Sequence, residues 1–160
     1  MEPYPHTYSV EASGAFSGAV RVAAPGVEAL TSAAARQFGG PGDAWSPESL
    51  LVAAIADCYV FTFRAVSAAA MFGWLKLECR AQGTLEKRER MPQFTHIAVQ
   101  ATLTLAPGAD ASRAKRLLQQ ADRACLIANS LKAERTLETR IVHAAADTDA
   151  APVQPQRPVG

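Results

Sequence analysis

The run SPESLLVAAIADCYVFTFRAVSAAAMFG, residues 46–73, decides the architecture. Ser46 can accept a hydrogen bond from the free N–H groups of a helix start, and Pro47 brings the φ that a first turn needs. Glu48 suits the positive end of the helix dipole. Nothing then breaks the helix until Gly73, so it is predicted to run to about Phe72 with Gly73 as its stop. It is apolar on most sides, through Leu50, Leu51, Val52, Ile55, Val60, Phe61, Phe63 and Val66. A helix apolar all round is expected to lie buried at the centre of its fold. Asp57, Arg64 and Ser67 interrupt the run, which argues against a membrane span.

Upstream, residues 6–12 alternate polar and apolar, and residues 18–24 and 26–31 read as two further short strands. Gly39-Gly40-Pro41-Gly42-Asp43 is a loop. Downstream, Leu75, Leu77, Cys79 and Ala81 share one face of a strand over residues 75–82. Ile97, Val99, Ala101, Leu103 and Leu105 share a face over residues 96–105. Residues 86–93 are charged and read as a hairpin loop between them. Residues 110–124 form an amphipathic helix with Ala114, Leu117, Leu118 and Ala121 at helical spacing, and residues 136–143 a last strand. Residues 145–160 hold three prolines and two aspartates among small residues and read as a disordered tail. The predicted class is α+β, with helices on one face of an antiparallel sheet. Residues 1–144 are expected to form a single domain.

The composition narrows the partners. Of 160 residues, 49% are hydrophobic and 19% charged, which suits a packed core. The net charge of +1 gives no field that would favour nucleic acid or an anionic membrane. Residues 1–7 show no basic segment followed by an apolar run, so a cytoplasmic protein is expected. Three cysteines, an odd number, argue against a structural disulfide framework. His6, His96 and His143 are scattered over three predicted strands, so no metal site is expected. No glycine pattern that cradles phosphates or a dinucleotide is present, and no cofactor is expected. Lys87-Arg88-Glu89-Arg90 is mixed in sign and reads as a solvated hairpin.

Cys79 lies on the apolar face of its strand and reads as an inert core thiol. By periodicity alone, Cys58 and Cys125 would be core residues too. Two motifs argue otherwise. SPESLLVAAIADC, residues 46–58, resembles the N/S/T-P-E-x-L-x-x-A-x-x-x-C signature of the OsmC/Ohr family, the osmotically induced and organic hydroperoxide resistance proteins. ACLIANSL, residues 124–131, is similar to that family's A-C-P-x-S-N-x-L, with Leu126 in place of Pro and Ala128 in place of Ser. The resemblance spans roughly residues 10–142.

It implies an intertwined α+β homodimer, its antiparallel sheet wrapped around long buried central helices, with active sites at the subunit interface. It implies that Cys58 is the peroxidatic thiol, that Cys125 resolves it, and that Glu48 and an upstream arginine complete the site. Arg36, in ARQFG, resembles the T-R-F-x-G element of the OsmC branch and is preferred. Arg21 is the alternative if the chain follows the Ohr branch. The implied activity is reduction of organic hydroperoxides to alcohols in oxidative-stress defence, through a Cys58 sulfenic acid and a Cys58–Cys125 disulfide opened by an external dithiol.

That chemistry needs these residue types. A guanidinium favours the thiolate and stabilises charge on the departing oxygen, and a carboxylate can hold the guanidinium by a bidentate pair. Phe38, Trp45, Phe61 and Phe63 read as core. Phe38, Trp45 and Phe61 are also the candidates for an apolar pocket wall, which would favour an alkyl or aryl hydroperoxide over hydrogen peroxide. Glu48 and Cys58 are ten residues apart, roughly 15 Å along a straight helix. Either the first turn is irregular, or Glu48 acts in the partner subunit's site. The rival reading is a non-catalytic dimer of this fold that binds an apolar small molecule, with both cysteines as packing.

Overall fold

In the computed structural model, which describes residues 3–145, the central helix α1 spans Pro47–Ala69. Its start follows the sequence. Ser46 Oγ accepts from the Ser49 N–H at 3.2 Å, and the Ser46 N–H donates to Ser49 Oγ at 2.8 Å. This is a reciprocal capping box with serine where glutamate is usual. Its end differs from expectation. Met71 takes the left-handed conformation (φ 50°), the Phe72 N–H bonds Ser67 O at 2.9 Å, and the Met71 N–H bonds Ala68 O at 3.0 Å. That closure satisfies the last carbonyls without glycine, so the helix stops before Gly73.

The chain forms two compact units that divide between Leu51 and Val52. In the first, β1 (Glu11–Gly14), β2 (Val20–Ala23) and β3 (Leu30–Ser32) make an antiparallel sheet in that order. Ser32 then bridges Trp45 in parallel, and the Ala33 N–H donates to Trp45 O at 2.8 Å. Between them a 3-10 turn, Arg36–Phe38, ends on Gly39 (φ 80°). Gly42 (φ 76°) lies so close to Arg36 that a Cβ there would sit 2.0 Å from its Nε. The positive φ favours glycine there, and a larger residue would have to displace the Arg36 side chain.

In the second unit, β4 (Lys76–Arg88) and β5 (Met91–Leu105) form a long hairpin. Glu89 and Arg90 both have positive φ (50° and 72°), the geometry of a two-residue turn matched to strand twist. The loop expected over residues 86–93 is therefore paired strand except for those two residues, with Glu86 opposite Gln93 and Arg88 opposite Met91. Helix α2 (Ala111–Ala124) and a single turn, α3 (Leu126–Asn129), lead to β6 (Glu134–His143), which pairs with β5 in parallel. A parallel return needs such a crossover. The sheet, ordered β4-β5-β6, is thus mixed and not antiparallel throughout.

The core joins three rows: Ile55, Tyr59 and Phe63 of α1; Ile97, Val99, Ala101, Leu103 and Leu105 of β5; and Ala114, Leu117, Leu118 and Ala121 of α2. The rows on β5 and α2 are those the periodicity predicts. Gly83 admits this packing, because a Cβ there would lie 2.6 Å from the Phe94 ring and 2.9 Å from Val52. Helix α1 is not buried on all sides within one chain. Its buried residues are one stripe at four-residue spacing, Ile55, Tyr59, Phe63 and Ser67, while Phe61 is 58% exposed. By length and composition α1 could cross a bilayer, with mean hydropathy 1.6. Its stripe, however, is packed against β5 and α2. The tail expected over residues 145–160 lies, except for Ala145, outside the described residues.

Candidate active site

Cys58 sits on α1 beside the buried stripe and is half-buried. Two contacts seat it. Tyr59, its neighbour, sends its hydroxyl across to donate to Leu118 O at 3.1 Å, which ties α1 to α2. Thr62, one turn on, places Oγ1 3.8 Å from Cys58 Sγ.

Cys125 occupies the joint between α2 and α3. Its N–H donates to Asp122 O at 3.3 Å, and its own carbonyl accepts from the Asn129 N–H at 2.9 Å. Asn129 Nδ2 donates back to Arg123 O at 3.0 Å, and Ser130 Oγ to Leu126 O at 3.0 Å. These bonds hold the chain through an abrupt turn, so Cys125 is only 1% exposed. The substitution of Leu126 for proline leaves this turn intact.

Both thiols are free, and they lie close enough that each enters the other's titration. Their titrations diverge. Burial pushes Cys58 up, but the nearby Ile127 amide, Cys125 thiol, Thr62 hydroxyl and Leu126 amide favour its thiolate, and the balance lies below the usual thiol value. Amides of a helix's first residues have no partner in their own helix, which leaves those of Leu126 and Ile127 free to serve an anion. A proline at 126 would lack one of these donors. Burial pushes Cys125 up to about 11; the Ala128 amide and Arg135 act against this, while Cys58 reinforces it. The arrangement is a thiolate-biased sulfur on the accessible side and a protonated donor behind it.

Cys79, opposite Ala101 on β4, packs against the core as predicted, and burial pushes it up to about 11. The other candidates lie elsewhere. The pair expected between Arg36 and Glu48 is not made: among the described residues, Glu48 Oε2 is buried without a hydrogen-bond partner. Lys76–Glu78 at 3.0 Å is the ion pair found among the described residues, so Arg21 is not paired with Glu48 either. Helix α1 is regular from Pro47, with the Leu50 N–H on Ser46 O at 2.9 Å. An irregular first turn therefore cannot bring Glu48 toward Cys58.

Phe38 (56% exposed) and Trp45 (50%) are surface residues of the first unit, not core. Trp45 lines a groove of about 720 Å³ with Gly18, Thr31, Gly40 and Asp43. Phe61 carries the Arg64 guanidinium 5.2 Å above its ring, and Phe63 alone of these four aromatics is fully buried.

Sequence reasoning missed Tyr59, Asn129 and Arg135. Asn129 stands in the second motif and could have been read as a cap. Arg135 was legible as a cation in the inward phase of β6, where Leu137 and Ile141 follow.

Comparison with known proteins bears on the family and the fold. A family profile, OsmC-like protein, matches residues 40–140, well over half of the chain. The chain belongs to the OsmC-like family. Its fold is similar to that of an OsmC-like protein of unknown function from Vibrio cholerae (17% identity, TM-score 0.76, covering 86% of this chain and 100% of that one). It is also similar to an organic hydroperoxide resistance protein OsmC from Legionella pneumophila (22%, 0.69, 88% and 99%). A third likeness is to an organic hydroperoxide resistance protein from Elizabethkingia anophelis (18%, 0.71, 89% and 100%). At these identities the likeness concerns the fold. No curated protein matches the sequence of this OsmC-like chain.

Proposed function

We propose that this OsmC-like protein is a cysteine-based reductase of organic hydroperoxides, with Cys58 peroxidatic and Cys125 resolving. The observation that carries the reading is that two free thiols from separate helices are brought together, Cys58 favoured as thiolate and Cys125 buried and held protonated. The Cys58 thiolate attacks one peroxide oxygen, the O–O bond breaks, and the alkoxide leaves as alcohol after taking a proton. Cys58 is then a sulfenic acid. The Cys125 thiol condenses with it, the sulfenic hydroxyl leaves as water with the Cys125 proton, and a disulfide forms. An external dithiol returns the two electrons.

The working unit is a homodimer. Proteins of this family are typically dimeric, and the apolar faces of α1 outside its buried stripe need a cover that one chain does not supply. Glu48's carboxylate oxygen, buried without a partner among the described residues, supports a group supplied by the second subunit. We place Glu48 in the partner subunit's site, with Arg36 as the candidate cation, and the protein in the cytoplasm, where a dithiol pool is at hand.

The test is purified reduced protein with cumene hydroperoxide, followed by peroxide loss and intact mass. The expected product is a Cys58–Cys125 disulfide, lighter by two hydrogens. Equal peroxide loss in Cys58→Ser would sink the proposal.

A further inference from the structure

Arg135 breaks the pattern of its strand. On β6 the inward-facing residues alternate as Arg135, Leu137, Thr139 and Ile141, and Arg135 stands opposite fully buried Ile97. A cation in that phase is unfavourable unless something uses it. No carboxylate lies within 4 Å of it among the described residues. Its Nη1 instead donates to Asp122 O at 3.4 Å. That carbonyl is the one that accepts the Cys125 N–H at 3.3 Å. Arginine and resolving cysteine are thus fastened to a single atom, and the guanidinium charge acts on the Cys125 sulfur in the direction of the thiolate.

The two cysteines also differ in access: Cys125 is 1% exposed and Cys58 is half-buried. Of the two sulfurs, Cys58 is therefore the one assigned as the point of attack for an external thiolate.

We propose that Arg135 is the positioning residue for the recycling half of the cycle, holding Cys125 at its turn and stabilising it as the leaving thiolate when a dithiol opens the Cys58–Cys125 disulfide. This rests on the proposed function and assigns it a residue for its second half. A thiolate of the reductant gives its electron pair to Cys58 Sγ. The Cys58–Cys125 bond breaks and its pair leaves on Cys125 Sγ, which later takes a proton from water. The reductant's second thiolate then attacks its own sulfur in the mixed disulfide, releasing Cys58 as thiolate and the reductant as a cyclic disulfide. A leaving thiolate of lower pKa departs faster, and a nearby fixed cation lowers it. The groups around Cys125 are Cys58 and Tyr59 of α1, Cys79 of β4, Asp122 of α2 and Arg135 of β6. Arg135 is the one cation among them.

The experiment compares the full-length protein with Arg135→Gln, which keeps an amide donor for Asp122 O, and Arg135→Lys, which keeps the charge. Each is oxidised with cumene hydroperoxide, and reopening by dithiothreitol is followed by intact mass from pH 6 to 9. Arg135→Gln is expected to reopen roughly three- to tenfold more slowly at neutral pH, with a single-turnover peroxide step within about twofold of wild type. Arg135→Lys should restore most of the rate. In a Cys58→Ser, Cys79→Ser background, the ultraviolet absorbance of the Cys125 thiolate should titrate at higher pH with Gln than with Arg. Equal reopening rates for wild type and Arg135→Gln, or no rescue by Lys, overturn the proposal. If wild type forms no disulfide with peroxide, the proposed function fails; the disulfide is then made with diamide, and the Arg135 comparison still decides its own question.

Discussion

Leu126→Pro is the substitution that separates the Cys58 site from the fold around it. Leu126 is the first residue of α3, so its N–H has no carbonyl to meet in its own helix and acts on the nearby Cys58 sulfur in the direction of the thiolate. Proline is favoured at a first helical position. Cys125, the residue before it, has φ −64° and ψ 107°, the extended conformation that a residue preceding proline adopts. The Leu126 side chain is 60% exposed, so its loss should cost within about 0.5 kcal/mol. Restricting the unfolded chain should return about 0.4–1 kcal/mol. Stability measured by urea unfolding should therefore stay within about 1 kcal/mol of wild type. Ile127, Cys125 and Thr62 also favour the Cys58 thiolate, so it should become less favoured without being lost. The assay is the pH dependence of iodoacetamide alkylation, mapped to Cys58 by peptide mass. The profile should move to higher pH, the rate at pH 7 should fall, and the two proteins should converge once both are deprotonated. An unmoved profile would refute the role given to the Leu126 amide. A loss of more than about 2 kcal/mol would refute the turn geometry on which the substitution rests.

Tyr59→Phe removes the hydroxyl that joins α1 to α2. Leu118 O keeps a partner within α2, so the cost in urea unfolding should be about 1 kcal/mol, with slower disulfide closure and an unchanged initial attack on peroxide; a cost near zero would mean the bond does not bind the two helices. Equal mixing of Cys58→Ala and Glu48→Ala subunits, exchanged under mild denaturant, should make half of the dimers mixed with one complete site each, giving about a quarter of wild-type peroxide consumption. Activity no higher than either parent would confine each site to one chain. Burial raises Cys79 and Cys125 to about 11 and also raises Tyr59. The unfolded chain thus releases these protons first, and the stability they confer, full below pH about 8.5, drains away as pH climbs toward 11. Cys58, whose value is lowered, acts in the opposite sense and less widely. Cys79→Ala should flatten the alkaline decline in unfolding free energy, and an unaltered slope would show that Cys79 is not a buried neutral thiol.

What could be read from the sequence was whatever one chain decides locally. The Ser46-Pro47 start, the β5 row from Ile97 to Leu105 and the α2 face of Ala114, Leu117, Leu118 and Ala121 are periodic, and each lies where the period puts it. Local rules failed where another solution satisfied the same physics. Met71 closes α1 in the conformation glycine usually takes, and Glu89-Arg90 turn a hairpin without asparagine or glycine. The parallel pairing of β6 is set by the crossover through α2 and α3, which no strand-level alternation reports. Cys58 and Cys125 were legible as a pair only through the motifs, since each alone sits in an apolar context. The half-exposed face of α1 escaped the periodicity argument because an all-apolar helix does not say whether its cover belongs to its own chain or to another.

The division of labour between the two thiols follows from where the chain turns. A sulfur in the middle of a long helix has no free backbone N–H in its own turn, because every nearby amide is already bonded within the helix. Cys58 alone would therefore be left to burial, which raises a thiol. The break after α2 supplies what the helix lacks: Cys125 ends one helix and opens another, so the amides of Leu126 and Ile127 are released at the point where the second sulfur is delivered. The same turn hides Cys125 from solvent. Donors for Cys58 and burial for Cys125 are thus two results of one change of chain direction. Loosening that turn, as Asn129→Ala should by removing the bond to Arg123 O, ought to raise Cys58 and expose Cys125 together.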